Sequence, residues 1–309
     1  MPLVSVTMTS YNHERFISES IESVLAQDFD DFELVIIDDA SIDASTQIIQ
    51  KYEVEDPRIH ATFHETNSGF AQTRNDCIEA SKGKFIAHID SDDVWAKDKL
   101  TKQLEVAAYN DDLVVWSEGG IIGEKGEALE ENFTQQHRAT SRKKSGDIFE
   151  ELLRGNYILG STLFYKRSNL GAIRYDESLL IASDHKFVLE LARNYDFYYI
   201  AEPLAKYRIH GSNTIVGSSS EVRERRRIYA MERVLVYDEM LRQKNRAISN
   251  KTKATMYAQM SWAHALFGNS NKALRFYLLA VRCNPYSWSI LASGVCILKS
   301  VFKNLGVRK

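Results

Sequence analysis

Apolar and polar positions alternate in a regular order along the first part of the chain. Leu3–Met8 (LVSVTM) reads as a strand, and Glu14–Ala26 follows with Phe16, Ile17, Ile21, Val24 and Leu25 on one helical face. The cycle then repeats. Phe32–Asp38 (FELVIID) reads as a second, buried strand and Asp43–Tyr52 as a second helix. Residues 59–63 make a shorter strand, 70–81 a third helix, and KFIAHID, ending at Asp90, a fourth strand. Strands alternating with helices predict an α/β fold built on a parallel, doubly wound sheet. In such sheets ligands bind beyond the carboxyl ends of the strands. The loops Thr9–His13, Asp38–Asp43 and Asp90–Asp93 are therefore where chemistry is expected.

Past LVVW (Leu113–Trp116) the pattern loosens. Glu124–Ser145 is polar, lacks apolar periodicity and reads as a mobile loop. Residues 158–165 resume as a strand, Ser183–Arg193 as a helix, and FYYI and AKYRI as short strands. GSSS (Gly217–Ser220) marks a boundary. The expected division is a domain over 1–216 and a basic helical region over 217–309. Within the latter, AHALFGNSNKALRFYLLAVRCNP resembles one tetratricopeptide-like helical hairpin, and a single copy cannot make a solenoid. A last helix would place Ile290, Leu291, Ile297, Leu298, Val301, Phe302 and Leu305 on one stripe, against either a core or a membrane.

Composition narrows the class. The chain has 309 residues, 44% hydrophobic and 26% charged, as in soluble globular proteins. Cys77, Cys283 and Cys296 lie too far apart to suggest a disulfide framework or a zinc knuckle. MPLVSV does not read as a signal peptide and no stretch reads as a spanning helix, so a cytoplasmic protein is expected. The net charge of −3 hides an asymmetry. Residues 1–216 carry 22 Lys and Arg against 37 Asp and Glu, whereas 217–309 carry 17 against 5. The basic tail either lies against the acidic first part or makes peripheral contact with the inner face of an anionic membrane. Arg223–Arg227 is a single basic run on a predicted helix, which gives no support to a nucleic-acid partner.

The candidate chemistry is carboxylate chemistry. Asp90, Asp92 and Asp93 end a strand that should be buried, and clustered carboxylates repel unless a cation or hydrogen-bond donors offset them. Oxygen ligands suit Mg²⁺ or Mn²⁺; the competing reading is that Asp92 or Asp93 caps the helix containing Trp95–Ala107. DDASID (Asp38–Asp43) repeats the arrangement, with Asp43 as helix cap and Asp38 or Asp39 free to accept from a ribose or a base edge. In TSYNHERF, Thr9 offers a hydroxyl and Tyr11 a ring that either stacks on a base or belongs to the core. Arg74, in NSGFAQTRND, can pair with a phosphate or with the carboxylates around it. There is no G-x-G-x-x-G after the first strand and no P-loop, so dinucleotide oxidoreductases and P-loop ATPases fall away.

TMTSYNHERFISESIESVLAQDFDDFELVIIDDASIDAS, with NSGFAQTRN and GKFIAHIDSDD after it, resembles an inverting glycosyltransferase of family 2 with the GT-A fold, a Rossmann-like nucleotide-sugar-binding sheet. The likeness runs over roughly the first two hundred residues. It implies that the D-x-D motif falls on Asp90–Asp92, with Asp92 the direct ligand of Mn²⁺ or Mg²⁺ and Asp90 beside ribose and metal. It implies nucleoside recognition by Thr9, Tyr11 and Asp39, with Arg74 near the diphosphate. The family's acidic pair maps on ASDHKF, making Asp184 the catalytic base, with Ser183 where Glu is usual. YRIHGSN matches a frequent family ending, so His210 reaches the metal or diphosphate. DDASID departs from the commoner D-D-G-S-T-D. The implied partners are a nucleotide-sugar donor, a UDP-sugar foremost, and a glycan or lipid-linked acceptor. The rival reading is a non-catalytic nucleotide-sugar-binding or adaptor protein that works through its helical tail.

Overall fold

A computed structural model describes residues 1–129, 131–213, 218–243 and 246–285, together with 290 and 294. The predicted terminal helix lies almost wholly outside the described residues. The chain forms two compact units, the first comprising Met1–Ile148, Asn156–Ser178 and Ser183–Ser212. The second comprises Phe149–Gly155, Leu179–Ala182 and Asn213–Lys309.

The first unit begins with β1 (Val4–Ser10), α1 (Ile17–Leu25), β2 (Phe32–Asp38), α2 (Ser45–Glu55), β3 (Ile59–Phe63), α3 (Phe70–Ala80) and β4 (Phe85–Asp90). The apolar runs become strands because both faces of the sheet are covered. Val4, Val6, Met8, Leu34, Ile36, Ala87 and Ile89 are fully buried in one core cluster with Ile17, Ile21 and Val24 of α1. Then follow β5 (Val94–Trp95), α4 (Lys99–Tyr109), β6 (Val114–Ile122) and the short α5 (Phe133–Gln136). In the second unit lies α6 (Phe149–Leu153); β7 (Phe164–Lys166), α7 (Ser183–Asn194) and β8 (Phe197–Arg208) complete the first.

The sheet runs β3-β2-β1-β4-β7-β6-β8-β5. Its β3-β2-β1-β4 half is parallel, as the alternation predicts. Beyond β4 it is mixed: β7 is antiparallel to β4 and β6, β5 is antiparallel to β8, and β6 and β8 are parallel. Residues 158–165 are not one strand. Ile158 and Leu159 are buried, Gly160–Thr162 turn as a 3₁₀ helix, and pairing begins only at Phe164. FYYI and AKYRI, in contrast, are one strand. The interruption is Pro203, which cannot donate to the ladder, and the register with β6 shifts on either side of Glu118, the residue opposite it. The polar stretch after β6 is tied down at α5, where Thr134 donates through its N and Oγ1 to buried Glu118 and Phe133 is buried.

The second unit holds α6, α8 (Ser220–Arg242), α9 (Asn250–Leu266) and α10 (Ser270–Cys283). α9 and α10 form the hairpin, with Gly268 at φ +74 supplying the left-handed turn. Their contact is built on small residues, Ala254, Ala258 and Ala280 in one cluster and Ala265 and Ala273 in another. Among the described residues no helix is long and apolar enough to cross a membrane.

Candidate active site

The carboxyl ends of β1, β2 and β4 open side by side, because Ser10 pairs with Asp38 and Thr9 with Asp90 in register. The chain after β8 reaches the same place, since β5, directly after the acidic loop, pairs with Ala205 and Lys206. Asp92 is the meeting point. Its Oδ2 lies 2.9 Å from His210 Nε2 and 3.9 Å from His13 Nε2. One ligand atom from each of His13, Asp92 and His210 lies within 4.8 Å of the others. The other nitrogens are held by hydroxyls: His13 Nδ1 lies 2.7 Å from Ser91 Oγ, and His210 Nδ1 2.7 Å from Ser212 Oγ. Two imidazoles and a carboxylate fit a divalent cation, and nitrogen donors suit Mn²⁺ better than the harder Mg²⁺.

The other two carboxylates are engaged elsewhere. Asp90 forms an ion pair with Arg74, which also donates to Thr7 O at 3.2 Å. Asp93 is fully buried, accepts from Ser161 Oγ at 2.5 Å and from the Arg208 backbone N at 3.1 Å. Neither Asp92 nor Asp93 caps a helix, because α4 starts only at Lys99. The three do not ionise alike. Burial pushes the Asp93 carboxyl well above the ordinary aspartate range, and the charges of Asp92 and Asp90 act the same way. Asp90 is raised too, by burial, against the pull of the Arg74 guanidinium. At Asp92 burial acts upward, but the His210 hydrogen bond and the charges of His13 and His210 prevail and hold it below that range. Of the three, Asp92 is the carboxylate whose ionised form its surroundings favour.

Asp39 is buried and its oxygens hold the β3–α3 loop, accepting from Ser68 N at 2.7 Å and Gly69 N at 2.8 Å, with His64 Nδ1 at 2.8 Å. Gly69, at φ +88, is the residue that lets this loop turn toward it. Asp38 is likewise occupied, by Ser10, Ser41 N and Ser41 Oγ. Asp43 accepts from Ser45 N at the start of α2 and from Glu14 N. Thr9 sits in β1, and Tyr11, 46% exposed at the strand's end, is not a core residue. Arg74 is buried and committed to Asp90.

Asp184 lies in the first turn of α7. Burial pushes the Tyr207 phenol up, and Asp93, Asp92, Asp90 and Asp184 add to the shift. Tyr175 is raised by burial against the Arg74 charge, with Asp90 and Asp184 again contributing. Two tyrosines thus feel both Asp184 and carboxylates of the acidic loop.

His13 and Arg208 were not singled out by the sequence. Arg208 is buried, donates through Nε to Asp92 O at 2.9 Å and pairs with Glu19. Their signal was adjacency alone: His13 stands two residues after Tyr11, and Arg208 two before His210.

Residues 5–170 match the model of the family described as Glycosyl transferase family 2. The chain is 32% identical over 208 residues to the Bacillus subtilis protein provisionally described as the teichuronic acid biosynthesis glycosyltransferase TuaG, covering 67% of this chain and 79% of that one. It is 34% identical over 212 residues to the uncharacterised glycosyltransferase MJ1057 of Methanocaldococcus jannaschii, covering 67% and 71%. Among solved structures, S. aureus TarS 1-349 in complex with UDP-GlcNAc superposes with a TM-score of 0.69 at 19% identity, covering 97% of this chain and 89% of that one. The mannosyltransferase PcManGT from Pyrobaculum calidifontis, in complex with GDP-Man and Mn²⁺, gives 0.61 at 16% identity, covering 98% and 87%. The fold is therefore GT-A with a helical C-terminal region, and the chain belongs to glycosyltransferase family 2.

Proposed function

We propose that this chain is a metal-dependent, inverting glycosyltransferase that moves a hexose-type sugar from a UDP-sugar to a hydroxyl of a glycan or lipid-linked acceptor. The observation that carries the reading is the convergence of His13, Asp92 and His210 on one point beside the Asp90–Arg74 pair. His13, Asp92 and His210 would hold the cation. A cation held by these residues would supply positive charge that stabilises a diphosphate leaving group. Thr9, Tyr11 and Asp39 receive the nucleoside, Asp39 while holding the Ser68–Gly69 turn.

The bond from the anomeric carbon to the diphosphate oxygen breaks with its electron pair on the diphosphate. The acceptor oxygen attacks from the opposite face, and its proton passes to the Asp184 carboxylate. One displacement inverts the anomeric centre, so an α-linked donor gives a β-linked product. The similarity to TuaG, described by teichuronic acid biosynthesis, favours a role in polysaccharide synthesis, which this reading places in the cell envelope and at the cytoplasmic side of the membrane. The basic second unit favours peripheral attachment there, checked by sedimentation with anionic against neutral vesicles.

The test is thermal unfolding with UDP, GDP and dTDP, each with and without Mn²⁺. A nucleotide at about a hundred times its Kd adds roughly 2.7 kcal/mol of stability. The expected result is stabilisation by UDP that requires Mn²⁺. Equal stabilisation without metal removes the cation from the reading. No response to any nucleotide favours the non-catalytic alternative.

A further inference from the structure

Glu232, on α8, is 8% exposed, and among the described residues its charge meets no Lys, Arg or His within ion-pair distance. Its two oxygens accept three consecutive backbone amides instead, from Leu180 at 2.6 Å, Ile181 at 2.8 Å and Ala182 at 2.8 Å. All four residues belong to the second unit. The chain passes directly from Ala182 to Ser183, the first residue of α7, and Asp184 is the second. Amides at the start of a helix have no partner within it, and a nearby Ser commonly supplies one. Here it does not: Ser183 Oγ is buried without a hydrogen-bond partner among the described residues. Three charge-assisted bonds to one carboxylate fix the backbone leading into α7 instead.

We propose that Glu232 is a positioning residue for the reaction: by holding residues 180–182 it sets where α7 begins and hence where Asp184 presents its carboxylate. This rests on the reading of Asp184 as the base.

The test is a double-mutant cycle in the full chain, with Glu232→Gln, Asp184→Asn and the pair. It is read as nucleotide release from the UDP-sugar, or whichever nucleotide sugar the stabilisation screen identifies, together with amide hydrogen exchange. Glu232→Gln keeps the shape and loses an acceptor, so exchange at residues 180–182 should quicken. kcat should fall about 10- to 100-fold, the cost of misplacing a reacting group by about an ångström, with donor Kd unchanged. In the Asp184→Asn background the same change should cost nothing further, and Glu232→Asp, which keeps the charge, should recover part of the loss. Quickened exchange with unchanged kcat overturns the proposal, and so does an equal loss in both backgrounds. If Asp184→Asn alone retains full turnover, the base reading fails and this inference with it, a result that does not involve Glu232. Should Glu232→Gln not fold, Glu232→Asp carries the same cycle.

Discussion

Ala40 stands at φ +60 in the loop after β2. That conformation costs an L-residue about 1–2 kcal/mol, and the commoner family sequence has Gly at this position. Ala40→Gly should raise stability by about 0.5–1 kcal/mol, the relief being partly offset by the greater freedom of Gly in the unfolded chain. Urea unfolding measures it, and a loss would mean that the Ala40 methyl contributes packing. Lys99 is a second residue at odds with its surroundings. It is fully buried, with Gln103 Oε1 at 2.7 Å and the Trp95 ring 3.8 Å below its ammonium. Burial lowers its pKa well below the usual 10.5. The unfolded chain therefore binds a proton that the folded chain gives up, and stability must rise with pH between the folded value and 10.5. Lys99→Met should flatten that rise, whatever it does to stability at any one pH. Unfolding free energies of both proteins at pH 7 and 9.5 check the difference in slope.

Three elements each deliver one candidate ligand: His13 from the loop after β1, Asp92 from the loop after β4, and His210 just past β8. Removing one element's contribution by His13→Ala should weaken Mn²⁺ binding at least about tenfold while leaving the fold intact. Titration calorimetry with Mn²⁺ reads it, and unchanged affinity would take His13 out of the site. This convergence also explains what could be read beforehand. β1, β2 and β4 were legible because they are covered on both faces and so written as continuous apolar runs. Asp92 and His210 were legible because they fall in motifs. His13 was not, because its role exists only once the ends of β1, β4 and β8 meet. The same limit hid the split of residues 158–165, where Ile158 and Leu159 are buried ahead of a 3₁₀ turn and only the run from Phe164 is paired. It also hid the continuity of β8, where Pro203 looks like a break and the sheet absorbs it as a bulge. α5 left no trace, since one turn is too short to show a period.

At the scale of the whole molecule the acidic and basic parts of the chain take different work. The sheet-bearing unit gathers carboxylates where a cation can be held, and the helical unit carries the positive charge and Glu232. The Asp92–His210 contact closes a loop of 118 residues. Contacts so far apart in sequence carry a large closure cost and tend to be made late in folding. A cation that needs both groups therefore has nothing to grip in the folding transition state. Mn²⁺ should lengthen the lifetime of the native protein by slowing unfolding and leave the refolding rate unchanged, as stopped-flow measurements with and without the ion would show. Faster refolding with Mn²⁺ would mean that the two ends meet early. With refolding unchanged and unfolding slowed, the ion acts as a lock fitted after assembly, so a newly made chain must find its shape before the metal can help to keep it.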